Sequence, residues 1–100
     1  MSYNGHKSLK GEAELMANLD KVLERILNGR SDNNIAFDDL RNVLDRLGFR
    51  ERIKGDHHMF TKTGVREILN LQPQSNGTAK PYQVKQVRDV LKDYGLLKLP

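Results

Sequence analysis

A chain of 100 residues, 37% hydrophobic and 30% charged, can fill one core and leaves little for a second. Without cysteine, an apolar run long enough to cross a bilayer or a legible signal peptide, neither disulfide staples, thiolate chemistry nor a membrane span is expected, and the cytosol is the expected address. The net charge of +4 is lopsided: residues 1–49 hold seven basic and eight acidic groups and residues 50–100 ten and five, so the excess that suits a polyanionic partner lies in the second half.

Residues 1–11 include Gly5, Gly11, Ser2 and Asn4 with little apolar content and read as a flexible arm, with Met16 as an alternative natural start. From Glu12 onward, Leu15, Leu19, Val22, Leu23, Ile26 and Leu27 draw one helical stripe. Glu12 and Glu14 favour its positive end and Gly29 its stop, which makes residues 12–29 an additional N-terminal helix. Arg30 to Asn34 is a polar loop, and the main domain is expected over residues 35–97. Its first helix puts Phe37, Leu40, Val43, Leu44 and Leu47 on one face, with Asp38 and Asp39 in the first turn. Gly48 ends that helix, and Phe49 is placed to fold back on the last turn as in a Schellman stop.

Phe49–Lys54, His57–Lys62 and Val65–Leu71 then read as three strands, joined through Gly55-Asp56 and Lys62-Thr63-Gly64. Gln72 to Lys80 is a loop, and Pro81 opens a helix over Tyr82–Tyr94 with Val84, Val87, Leu91 and Tyr94 inward. Gly95 caps it, and Leu96, Leu97 and Leu99 are expected to tuck onto the core. The fold class is therefore α+β: an α-β-β-β-α order, a three-stranded antiparallel sheet with helices on one face, plus the extra N-terminal helix. The other sheet face is left open for function.

The chemistry concentrates in Arg50-Glu51-Arg52-Ile53-Lys54-Gly55-Asp56-His57-His58-Met59-Phe60-Thr61-Lys62. If Phe60 packs inward, strand parity sends His58 with it and His57 outward beside Met59 and Thr61. His58 then reads as a half-buried core histidine, and His57 as an ordinary exposed residue but for its neighbours. RNA cleavage without metal needs a base for the 2′-OH, an acid for the leaving oxygen and cations for the phosphate. Arg52, Lys54 and Lys62 lie within a few residues of His57 along two adjacent strands and suit that phosphate. Lys80 and Lys85, near the start of the last helix, suit a neighbouring phosphate with help from the helix N-terminus. His58 and Tyr82 are the candidates for a second proton-transfer group. Asp56 and His58 share parity, yet no third ligand is spaced to complete a metal site, so no metal or cofactor is expected. A hydrolase nucleophile elbow and a Gly-rich phosphate loop are also missing.

The Gly48-Phe49 helix exit, the basic strand, Gly55-Asp56-His57-His58-Met59-Phe60 and the Lys80-Pro81-Tyr82-Gln83-Val84 helix entry resemble the HicA toxins of bacterial toxin–antitoxin systems over residues 35–97. That resemblance implies a double-stranded-RNA-binding-like fold and translation-independent cleavage of mRNA, taken as single-stranded RNA. It implies His57, the first histidine of the segment, as the catalytic residue, and a HicB-like antitoxin that covers the active site. Where the family commonly has Ser, this chain has Asp56, which either orients His57 and favours its imidazolium or repels the substrate phosphate. The additional helix either packs on the core or forms a contact with an antitoxin or a second copy, a homo-oligomer in the latter case. The alternative readings are a non-catalytic RNA-binding module of the same fold, or an inactive relative acting as a protein-interaction domain.

Overall fold

A computed structural model describes residues 2–100, with side chains described for residues 11–100. Helix α1 (Ser2–Asn28) is followed by a 3-10 turn (Asp32–Asn34), α2 (Phe37–Arg46), strands β1 (Arg50–Lys54), β2 (His57–Thr61) and β3 (Leu69–Leu71), and α3 (Pro81–Asp93). This is the expected α+β fold, with the α-β-β-β-α order of the double-stranded-RNA-binding-like class behind an extra helix. Among the described residues no helix is long and apolar enough to cross a membrane.

The first helix starts at Ser2, well ahead of the Glu12 at which its apolar stripe begins, so the expected arm is helical backbone from residue 2 onward. Once a helical turn exists, each further residue adds a hydrogen bond at little cost, and the glycines of this stretch do not stop it. Leu19, Val22, Leu23 and Ile26 are buried against the rest of the core, while Leu15 is 48% exposed. Among the described residues the stripe is thus spent on α2 and α3. Arg88 of α3 fastens the end of α1. Its guanidinium donates to the Ile26 carbonyl at 3.1 Å and to both Asp32 oxygens at 2.9 and 3.1 Å.

Helix α2 buries Phe37, Leu40, Val43 and Leu44 and stops as the Gly48-Phe49 pair predicts. The Phe49 N–H reaches the Leu44 carbonyl at 3.0 Å and the Gly48 N–H the Asp45 carbonyl at 3.0 Å, the paired bonds of a Schellman stop. Gly48 sits at φ 96°, in the left-handed region. The end of α3 repeats the arrangement through Gly95 and Leu96.

The sheet is an antiparallel meander in the order β1-β2-β3, with Glu51 opposite Phe60, Ile53 opposite His58 and Phe60 opposite Leu69. Phe60, Leu69 and Leu71 are fully buried and form the floor on which α2 and α3 rest. The third strand is shorter than the Val65–Leu71 expected. Tyr94 draws the preceding segment away: its hydroxyl accepts the Arg66 N–H at 3.1 Å and donates to Glu67 at 2.6 Å. For that reason Tyr94 lies at the surface, 37% exposed, rather than inward. Leu96 and Leu99 pack on the core, but Leu97 does not.

The Gln72–Lys80 loop is built rather than slack. A tight turn closes from Gln74 to Thr78, and Ala79 and Gly77 bond to Ile35 and Phe37 at the entry to α2. Behind it Gln83, buried in the first full turn of α3, accepts the Gln72 N–H at 3.0 Å and donates to the Asn70 carbonyl at 3.3 Å. One side-chain amide thereby satisfies the edge of β3 that β2 does not use.

Two stability measurements check this packing. Ile26→Ala is expected to lower urea-unfolding stability by about 2–5 kcal/mol, as for a deeply buried aliphatic side chain; a loss within ~0.5 kcal/mol is what an appended, non-core helix would show. Gly48→Ala is expected to cost about 1–3 kcal/mol through its left-handed backbone, since the added Cβ meets only the flexible end of Lys62.

Candidate functional site

Alternation along β2 divides the two histidines. Phe60 is buried, so His58 shares its inner face and His57 points to the open one. The His58 side chain is 12% exposed. Its Nδ1–H donates to Glu51 Oε2 at 2.7 Å, and its ring meets Phe37 edge-on with centroids 4.9 Å apart. Glu51 also receives a two-pronged bond from Arg41 of α2, at 2.8 and 3.1 Å, and Arg41 extends to Asp38 at 3.1 Å. Burial pushes the Glu51 carboxyl up, but the Arg41 and His58 hydrogen bonds outweigh it and hold the group below its ordinary value. The same bond to Glu51 raises Arg41 against its own desolvation. His58 is therefore a satisfied structural residue that ties β2 to β1 and α2.

The open face carries Arg50, Arg52 and Lys54 from β1, His57, Met59 and Thr61 from β2, and Asn70 from β3. Lys54 stands directly opposite His57 and Arg52 opposite Met59. All three β1 cations are exposed, and among the described residues none of them is in an ion pair. By contrast Arg41, Lys85 and Arg88 each hold a carboxylate. Cations without partners on one face are available to an incoming anion.

His57 is more than half exposed, and its Nδ1 lies 3.3 Å from Asn70 Oδ1. Its Nε2 stands 4.0 Å from Asp56 Oδ1, too far for a hydrogen bond. Asp56 is engaged elsewhere: its other oxygen accepts Gln72 Nε2–H at 2.6 Å, and Gln72 Oε1 in turn accepts from Lys80 at 3.3 Å. The Gln72 hydrogen bond, followed by one from Asp56's own backbone and the charges of His57 and Lys80, holds this carboxyl below its ordinary value. Asp56 thus faces His57 as a charge, without a hydrogen bond between them.

The other expected residues divide. Lys80 is brought to the site as the residue just before α3, its ammonium on Gln72 beside Asp56. Lys62 is not beside His57. Five residues along β2 at about 3.3 Å each carry it roughly 16 Å away, and its ammonium folds over Gly48 at the other end of the sheet. Lys85 lies on the surface of α3, bound to Asp89 at 2.9 Å. Tyr82 shares that surface with Glu67 and Lys85, and His58 is on the wrong face, so neither stands with His57 as a second proton-transfer group. Among the described residues no three His, Asp or Glu side chains gather as a metal site.

Asn70 and Gln72 belong to the site but were not among the expected residues. The signal for Asn70 was present in Leu69-Asn70-Leu71, a polar residue between two apolar ones in a short strand, which alternation turns outward.

A family profile, that of the HicA toxin of bacterial toxin–antitoxin systems, matches residues 37–96. No curated protein and no solved structure matched the chain. The matched span holds both the open face around His57 and the Arg41–Glu51–His58 cluster behind it. A carboxyl depressed on folding stabilises above its unfolded value and loses that contribution as pH falls through the folded one. Stability to urea is therefore expected to decline as pH drops below the ordinary Glu value of 4.5, and Glu51→Gln is expected to make that decline shallower. At neutral pH the same variant should be less stable by roughly 1–3 kcal/mol, having lost hydrogen bonds to a charged acceptor.

Proposed function

The chain belongs to the HicA toxin family, and on that premise we propose that it is a metal-independent endoribonuclease that cleaves single-stranded mRNA with His57. What supports this reading best is one combination: an exposed imidazole with a hydrogen-bonded Nδ1 and an unbonded Nε2, beside cations that no carboxylate neutralises. Imidazole is the side chain suited to either half of a general acid–base proton transfer.

In the proposed reaction Nε2 of His57 takes the proton from a ribose 2′-OH. The 2′ oxygen forms a bond to the adjacent phosphorus while the bond from phosphorus to the 5′ oxygen breaks. Water supplies the proton to the departing oxygen, and the imidazolium later releases its own to solvent. The products carry a 2′,3′-cyclic phosphate and a 5′-hydroxyl. Arg52 and Lys54 offset the charge that builds on the phosphate, and the Lys80 ammonium holds the next one. Lys62 and Lys85 stand outside this set. Membership of the family also carries the expectation of an antitoxin, and we read the open face as its seat. A HicB-like protein with acidic groups opposite Arg50, Arg52 and Lys54 would cover His57 and exclude RNA.

Purified protein freed of any partner is expected to cut single-stranded RNA with EDTA present, and His57→Ala to reduce the rate by at least about 10²-fold. RNA left intact by the wild-type protein overturns the reading. RNA that is bound but not cut, equally by wild type and His57→Ala and with steep salt dependence, selects a non-catalytic binding module instead.

A further inference from the structure

Among the described residues, the one direct hydrogen bond to the His57 ring comes from a residue outside the expected set. Asn70 is exposed, on β3 between the fully buried Leu69 and Leu71. It pairs with Met59 in register, so its side chain reaches diagonally across the open face to Nδ1 of His57. Its backbone is held from behind, where the carbonyl accepts from the buried amide of Gln83. The amide oxygen of Asn70 has lone pairs and no hydrogen. It accepts only from a protonated Nδ1, and in neutral imidazole the other nitrogen then carries the lone pair.

We propose that Asn70 is a positioning residue that fixes His57 in the Nδ1–H tautomer and so presents Nε2 as the proton-accepting atom on the open face. This deepens the ribonuclease reading and takes its catalytic meaning from it, although the tautomer itself is a property of the free protein. The groups facing His57 are few. Lys54 is the cross-strand neighbour, and its ammonium accepts no hydrogen bond. Asp56 is the competitor, because a carboxylate near Nε2 favours a proton there. It is drawn off to a 4.0 Å separation by Gln72, with Lys80 behind. Gln72 and Lys80 therefore weaken the pull toward the Nε2–H form, and the hydrogen bond to Asn70 decides between the two. A deprotonated Nε2 accepts the 2′-OH proton directly, whereas an Nε2–H imidazole would leave that position without a base.

Long-range ¹H–¹⁵N spectra of ¹⁵N-histidine-labelled protein, taken in mildly alkaline buffer where imidazole is neutral, separate the two tautomers. The wild type is expected to show His57 predominantly as Nδ1–H. Asn70→Ala is expected to lower the ratio of Nδ1–H to Nε2–H by about fivefold, the weight of one hydrogen bond. Asn70→Asp, which keeps an acceptor oxygen at the same place, is expected to retain it. Cleavage by Asn70→Ala should fall in kcat with KM little changed, by less than fivefold because the rate follows the Nδ1–H fraction and not the ratio. An Nε2–H His57 in the wild type, or an unchanged ratio in Asn70→Ala, overturns the proposal. Should the wild type not cut RNA, the spectra still decide the tautomer, so the two readings fail separately.

Discussion

Phe60 sits at zero exposure in the middle strand, and the chemistry on both sides of the sheet depends on it. Side chains on a strand alternate with a period of two, so a buried Phe60 assigns a face to every residue of β2. It sends His58 to the helices and His57 to the open side. Through the register with β1 it also places Arg50, Arg52 and Lys54 with His57, and Glu51 with His58. A slip of one residue would exchange the two sets. It would turn three cations toward the helices and expose Phe60, at a cost no surface gain offsets. The location of the open face is thus decided by an apolar side chain that never touches it.

A second constraint comes from the far edge of the sheet. Strand β3 has one neighbour, and an exposed strand edge is a template for unwanted pairing. Gln83 fills that edge with its own amide, acting as a short stretch of strand supplied by a helix. The start of α3 is thereby brought close to Asn70 and Gln72, and Lys80 lands within reach of Asp56 through Gln72. The hydrogen-bonded rim of the candidate site is a by-product of closing the sheet.

Much of this was legible from local pattern. The α2 stop at Gly48-Phe49, the opening of α3 at Pro81 and the opposite facing of His57 and His58 all rest on spacings of a few residues. What was not legible rests on distance across the fold. Tyr94 truncates β3 from 28 residues away, and Gln83 grips Asn70 across 13. Lys62 is close to His57 in sequence but at the far end of an extended strand, where nearness along the chain becomes separation in space. Asn70 lies as far from His57 in sequence as Gln83 does from Asn70, yet touches it. Periodicity reports which way a residue faces; it is silent on which strand end it occupies and on whose side chain it meets.

The clamp that Arg88 places on α1 makes the folding unit larger than the family segment. Residues 37–96 match the family profile, but the core they enclose is roofed by Leu19, Val22, Leu23 and Ile26, which lie before it. Arg88, inside the segment, makes its hydrogen bonds to Ile26 and Asp32, outside it. Cutting the chain at the family boundary would strip an apolar surface bare and orphan a guanidinium that is 14% exposed. For this protein the homologous domain and the cooperative domain are different objects, and the open face around His57 is carried by the larger of the two.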